Sequence, residues 1–225
     1  MEDCINGGTV RESDTFEYRT AYCKNSYTVL STLDKYNLAF DIGANLGGFS
    51  KAFESSFNKI IAVEAFPETF KKCKQNLSDL THITCLNKAV SDKSNKEIVL
   101  FPHKNGDSGS TTSLNHDSKD LNLNQAEKVK SISYDDLVKK YGTPDYMKID
   151  IEGGEYDFLM NKDLSGVKFL SLELHSGYLS TQQKNQVMNH VLKYFTVLKH
   201  KKAIPSVCHD ELALINWDLH QGLLK

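Results

Sequence analysis

The sequence has only five cysteines, at positions 4, 23, 73, 85 and 208, and no C-x-x-C pair among them. An odd, scattered set of thiols builds neither a disulfide framework nor a zinc knuckle, so a reducing compartment is expected. An excess of one charge is also missing, since 27 basic against 29 acidic residues leave a formal charge of −2. No global field then draws the chain toward nucleic acid or an anionic membrane, and neither partner is expected. Long hydrophobic runs are absent too, none approaching the roughly 20 residues that span a bilayer. The opening Met1-Glu2-Asp3-Cys4 has neither the basic segment nor the apolar core of a secretory leader, which points to a cytoplasmic protein. The length of 225 residues suits one α/β domain and is tight for two.

What is present is alternation. From residue 38 onward, short apolar runs are separated by segments of helical period, the pattern of a parallel sheet covered by helices on both faces. The runs are Leu38 to Ile42, Lys59 to Glu64, Ile83 to Leu86, Tyr146 to Ile151, Val167 to Leu174, Phe195 to Lys199 and Glu211 to Trp217. Between them, Phe49, Ala52, Phe53 and Phe57 form one stripe, and Phe66, Phe70, Cys73, Leu77 and Leu80 form another behind Pro67. Ser133-Tyr134-Asp135-Asp136 reads as a capping box for a helix that stops at Gly142, and a last helix is expected from about Thr181 to Phe195. A Rossmann-like, seven-stranded, mostly parallel sheet is the fold expected.

Two stretches break the alternation. Residues 1 to 37 are mixed and aromatic, and are expected to form helices over the sheet or the cleft. Residues 102 to 128 are almost wholly polar and too long for an ordinary connector, so they are either a lid or a disordered insertion.

Ligands of an open parallel sheet settle at the carboxyl ends of the strands, where strand order reverses. The first strand ends in Asp41-x-Gly43-x-Asn45-x-Gly47, whose glycines permit positive φ and a close approach of backbone to ligand. Amides at the start of the next helix can face an anionic group, such as the carboxylate of a methionine moiety. Glu64 follows Gly43 by 21 residues and closes the second strand, where a carboxylate can accept from both hydroxyls of a ribose. A nicotinamide site would want a glycine where Asn45 stands, to admit a pyrophosphate. Asn45 therefore favours a phosphate-free adenosine cofactor, S-adenosylmethionine, over a nicotinamide dinucleotide.

Farther along, two apolar strands end in ionisable groups. Alternation places Lys148, Asp150 and Glu152 on one side of the fourth strand and Glu173 with His175 on one side of the fifth, about 4.8 Å away. Asp150, Glu152, Glu173 and His175 are the candidate catalytic residues. Because His175 suits Mg²⁺ poorly and no Asp-Asn pair marks the fifth strand, a metal-independent site is expected.

In these blocks the chain resembles the FkbM-type methyltransferases. The resemblance rests on Asp41-Ile-Gly-Ala-Asn-Leu-Gly47, Val63-Glu64-Ala65-Phe66-Pro67, Asn87-Lys88-Ala89-Val90-Ser91-Asp92, Gly109-Ser110, Lys148-Ile-Asp150-Ile-Glu152-Gly153-Gly154-Glu155-Tyr156 and Leu172-Glu173-Leu174-His175. It implies the class I fold and S-adenosylmethionine. It also implies Asp41, Gly43 and Asn45, in the turn that ends at Gly47, at the methionine end, Glu64 at the ribose, and Ala65, Phe66, Ala89 and Val90 beside the adenine; the strand ends themselves make Asp150 the residue expected nearest the transferred methyl. Gly153-Gly154 departs from the family's usual glycine and alanine. The expected activity is O-methylation of a sugar or glycan hydroxyl, by a domain that stands alone or forms part of a larger glycan-assembly protein. An RNA 2′-O-methyltransferase, a nicotinamide oxidoreductase and a non-catalytic binding module are the alternatives.

Overall fold

The computed structural model describes residues 15, 16, 20, 35–102, 110–111, 122–175, 178–201 and 209–219. Its centre is a seven-stranded sheet made of β1 (Tyr36–Ile42), β2 (Phe57–Glu64), β3 (Ile83–Asn87), β8 (Tyr146–Ile149), β9 (Phe169–His175), β10 (Thr196–Lys201) and β11 (His209–Ile215). The spatial order is β10-β11-β9-β8-β1-β2-β3. β1 pairs in parallel with β2 and with β8, while β11 runs antiparallel between β9 and β10. Strand order therefore reverses between β1 and β8, and the cleft opens there.

Period-2 alternation sorts the core. Leu38, Phe40, Ile42, Ile61, Val63, Met147 and Ile149 face one layer, formed by α3 (Tyr134–Tyr141), α4 (Glu155–Leu159) and α5 (Thr181–Val191). Ala39, Phe57, Ile60 and Tyr146 face the other, where α1 (Gly48–Ala52) contributes Phe49. On that same side α2 (Pro67–Asn76) packs Cys73 on Ala62. Ser133 caps α3 by accepting from the Asp136 N–H at 3.3 Å, and Gly142 ends it at φ +97°. Ser180 and Gln183 form a capping box at the start of α5. That helix stops at Val191 rather than Phe195, because the chain leaves it to enter β10.

The polar stretch is bounded by structure that its composition hides. β4 (Ala89–Val90), β5 (Glu97–Pro102), β6 (Ser110–Thr111) and β7 (Glu127–Ile132) make a second, four-stranded sheet in the order β4-β7-β5-β6. Residues expected only as a lid or an insertion thus begin and end in strands, with residues 103–109 and 112–121 outside the described set. The signal was a short alternation, Ile98 and Leu100 on one strand and Val129 and Ser131 on the other with Ile98 opposite Val129, embedded among lysines and glutamates. Of the aromatic N-terminal segment, Phe16 packs on the cluster around Ala62 and Cys73. Tyr36 and Asn37 are the start of β1, and the rest of the expected N-terminal helices lies outside the described residues. No helix among the described residues is long and apolar enough to cross a membrane.

Candidate active site

The turn after β1 is held by close backbone contact. Gly43 has φ +77°, and a Cβ there would fall 1.8 Å from the Asp150 carbonyl oxygen. No side chain fits, which is why the β1 turn and the end of β8 can touch. Gly47, at φ +90°, faces Leu77, and Asn45 sits in the left-handed region at φ +50°. That conformation turns the Asn45 N–H toward β2, where it donates to Glu64 Oε2 at 2.9 Å. The Phe66 N–H donates to Glu64 Oε1 at 2.8 Å, so both carboxylate oxygens are fixed by backbone. Burial pushes Glu64 up to about 7, although both amides and Lys148 oppose that shift. Each of its oxygens keeps lone-pair capacity for a further donor.

Behind the turn lies an ion cluster. Lys148 is buried, and its Nζ donates to the Gly43 carbonyl at 2.6 Å while standing 3.4 Å from Asp41 and 3.4 Å from Asp150. Asp41 is fully buried and accepts from Ser50 Oγ of α1 at 2.7 Å. Asp41 therefore acts from behind, fixing Lys148 and α1, rather than lining the cleft. Lys148 ties the β1 turn to β8, a role that its position in the strand alternation placed but its chemistry did not announce.

A cleft of about 910 Å³, counting the space open to solvent, is lined by Gly43, Asn45, Glu64, Ala65, Ala89, Val90, Asp150 and Glu152 among the expected residues. Ile98 and Leu100 of the second sheet add an apolar wall that the sequence reading did not include. Phe66 packs instead with Ala89, Leu100 and Val129, supporting that wall from behind. Gly47, Glu173 and His175 also stand outside the lining.

The second group of expected residues converges at the ends of β8 and β9. One polar atom each of Asp150, Glu173 and His175 lies within 4.8 Å of the others. His175 is buried, with Nε2 3.6 Å from Glu152 and 3.8 Å from Asp150. Its Nδ1 is 2.8 Å from Oε1 of Glu155, a fully buried acid at the start of α4. Burial works against a charged ring here, but Glu152, Glu155 and Asp150 together outweigh it and push His175 up to about 10. Burial also raises Glu155, and the imidazole opposes that rise. Three carboxylates around one ring favour its protonated form. The groups that reach the cleft are thus Asp150 and Glu152, with the imidazolium behind them.

Glu155 escaped the sequence reading, yet a signal existed. Glu155, Phe158 and Leu159 occupy i, i+3 and i+4, one face of a helix, and all three are fully buried. An acid on an otherwise apolar face needs a partner.

Comparison with known proteins agrees with this architecture. A family model described as the methyltransferase FkbM domain matches residues 41–202. Among solved structures, the chain is similar to the FkbM methyltransferase of Methylobacillus flagellatus KT, at 15% identity and a TM-score of 0.54, covering 89% of this chain and 50% of that one. It is also similar to a ribosomal protein L11 methylase of Lactobacillus delbrueckii subsp. bulgaricus, at 10% identity and a TM-score of 0.51, covering 88% of this chain and 79% of that one. The chain thus spans half the length of the Methylobacillus protein, and both likenesses speak for the fold alone. No curated protein matches it.

Proposed function

The chain belongs to the methyltransferase FkbM domain family, and from that premise we propose that it carries a methyl group from S-adenosylmethionine to a hydroxyl oxygen of a sugar or glycan. The observation that carries the reading is Glu64, fixed through both oxygens by the Asn45 and Phe66 amides beside a turn that only Gly43 can make. A carboxylate held in this way is set to accept from two neighbouring hydroxyls, as a ribose presents them.

The residues present fit the cofactor. Glu64 would hold the ribose and the Gly43 to Asn45 turn the methionine end, while Ala65, Ala89, Val90, Ile98 and Leu100 offer an apolar wall to the adenine. When bound, the cofactor supplies an electrophilic methyl group on a sulfonium. Asn45, bulky where a pyrophosphate site needs glycine, counts against a dinucleotide.

The chain's own part is to bind, orient and deprotonate the acceptor. Good placement of the acceptor oxygen is worth roughly 7 to 11 kcal/mol of the barrier. Asp150 and Glu152, both half-buried at the cleft, can grip hydroxyls and receive the proton. A carboxylate suffices as base because an alcohol becomes strongly acidic as its oxygen gains a bond to carbon. Lys148, 3.4 Å from Asp150, already brings a cation to this cluster, which favours a reaction without a divalent ion. The same carboxylates repel a phosphodiester, which favours a sugar over RNA.

Methyl-labelled cofactor, offered with a panel of glycosides, nucleosides, RNA and small alcohols in the presence and absence of EDTA, tests the proposal. Label on a glycoside oxygen that survives EDTA is expected. Label confined to RNA, or transfer that requires restored Mg²⁺, would overturn the acceptor or the metal part respectively.

A further inference from the structure

The reaction as proposed uses Asp150 and Glu152, and leaves unexplained an acid that the fold has buried completely. Glu155 is fully shielded, and its Oε2 has no hydrogen-bond partner. Its Oε1 meets His175 twice, 2.8 Å from Nδ1 and 3.4 Å from the His175 N–H, which donates to it. Burying an ionisable group is costly unless it is paired and hydrogen-bonded, and among the described residues its partner side chain is His175.

We infer that Glu155 is a positioning residue, which through His175 fixes the orientation of the two cleft carboxylates, Asp150 and Glu152. The geometry carries this directly. Bonding of Nδ1 to Glu155 sets the ring plane and commits Nε2 to the opposite side, where Glu152 stands at 3.6 Å and Asp150 at 3.8 Å. One imidazolium thereby spans three carboxylates that come from the end of β8 and from α4, and binds them into one unit. The imidazolium thus separates two like charges, Asp150 and Glu152, of which the first also stands 3.4 Å from Lys148.

Asp150 and Glu152 follow β8, Glu155 lies on α4, and Glu173 precedes His175 by two residues on β9. Lys148 touches Asp150, Tyr178 places its ring centroid 6.2 Å from that of His175, and His209 of β11 is the backbone partner of His175. Among the described residues around the ring, acids outnumber cations, which favours its protonated form. A helix start and a strand end that are 20 residues apart are joined here through one side-chain contact.

The inference rests on Asp150 and Glu152 receiving the acceptor, and its test separates the two ideas. Nuclear magnetic resonance of the histidine ring, assigned by loss of one signal in His175→Gln, follows His175 in the unmutated protein without any acceptor. A midpoint near 10 and a protonated, hydrogen-bonded Nδ1 are expected. In Glu155→Gln, which keeps the shape and loses the charge, the midpoint should move toward the ordinary value of about 6.5. Methyl transfer should slow by about 100-fold, the cost of a misplaced group of about 1 Å, with S-adenosylhomocysteine affinity unchanged. Glu155→Asp, which retains the charge, should recover part of both losses.

A His175 midpoint near 6.5 in the native protein would overturn the inference even if no Glu155 variant folded. So would a Glu155→Gln enzyme that lost cofactor affinity in proportion to its rate. Absence of methyl transfer in the native enzyme would count instead against the proposed reaction, leaving the resonance measurement to judge the clamp.

Discussion

At the β1 end of the cleft the groups that face a ligand are fixed by backbone, whereas at the β8 and β9 end they are fixed by one another. Glu64 hangs from the amides of Asn45 and Phe66, and the turn beside it is set by a glycine pressed on a carbonyl. Asp150, Glu152, His175 and Glu155 hold each other through charge, at distances from 2.8 to 3.8 Å. Backbone-built recognition suits an invariant ligand, since nothing in it can be retuned without altering the fold. A side-chain cluster can be changed residue by residue, which suits the partner that differs between enzymes of one architecture.

Breaking the backbone end should have the largest effect. Gly43→Ala forces a Cβ to within 1.8 Å of the Asp150 carbonyl at φ +77°. It should cost about 4 kcal/mol or more of stability, read as a lower denaturant midpoint, and abolish S-adenosylhomocysteine binding. A folded variant that still bound would show the turn to be adaptable and the comparison false.

Disturbing the side-chain end should act on rate alone. Glu152→Gln removes one carboxylate at the cleft while leaving Glu64 and the β1 turn intact, so turnover should fall about 100-fold with cofactor affinity retained. Equal loss of both in steady-state and binding measurements would mean that the two ends are not separable.

This division also explains what could be read in advance. The seven strands, the capping of α3 and the turn at Gly43 follow from period, caps and glycine, all local properties of the chain. Asp150, Glu152, Glu173 and His175 were visible as polar ends of apolar strands, and they do meet in space. Their hierarchy was hidden. That Asp41 lies behind the turn, that His175 is shielded by Asp150 and Glu152, and that Glu155 completes the group all depend on contacts between elements remote in sequence. The second sheet was missed for a different reason: β5 and β7 are short and half-exposed, so charge masks their alternation.

Glu64 gives the most pH-sensitive effect. Burial raises it from the ordinary 4.5 to about 7, so the fold prefers its neutral form. That stabilisation is complete below pH 4.5 and is lost as pH rises through 7. Glu64→Gln should therefore be up to about 3 kcal/mol more stable than the native protein at pH 8, and no more stable at pH 4. Thermal unfolding at the two pH values reads the difference directly.

The Glu64 carboxylate and the Gly43 to Asn45 turn together are proposed as an S-adenosylmethionine site. Calorimetric titration of the native protein and of Glu64→Gln with S-adenosylhomocysteine and with NAD, at pH 8 where the carboxylate is ionised, tests it. The native protein should bind S-adenosylhomocysteine and not NAD, and Glu64→Gln should bind about 10- to 100-fold more weakly. NAD bound as tightly, or a Glu64→Gln protein with undiminished affinity, would contradict it.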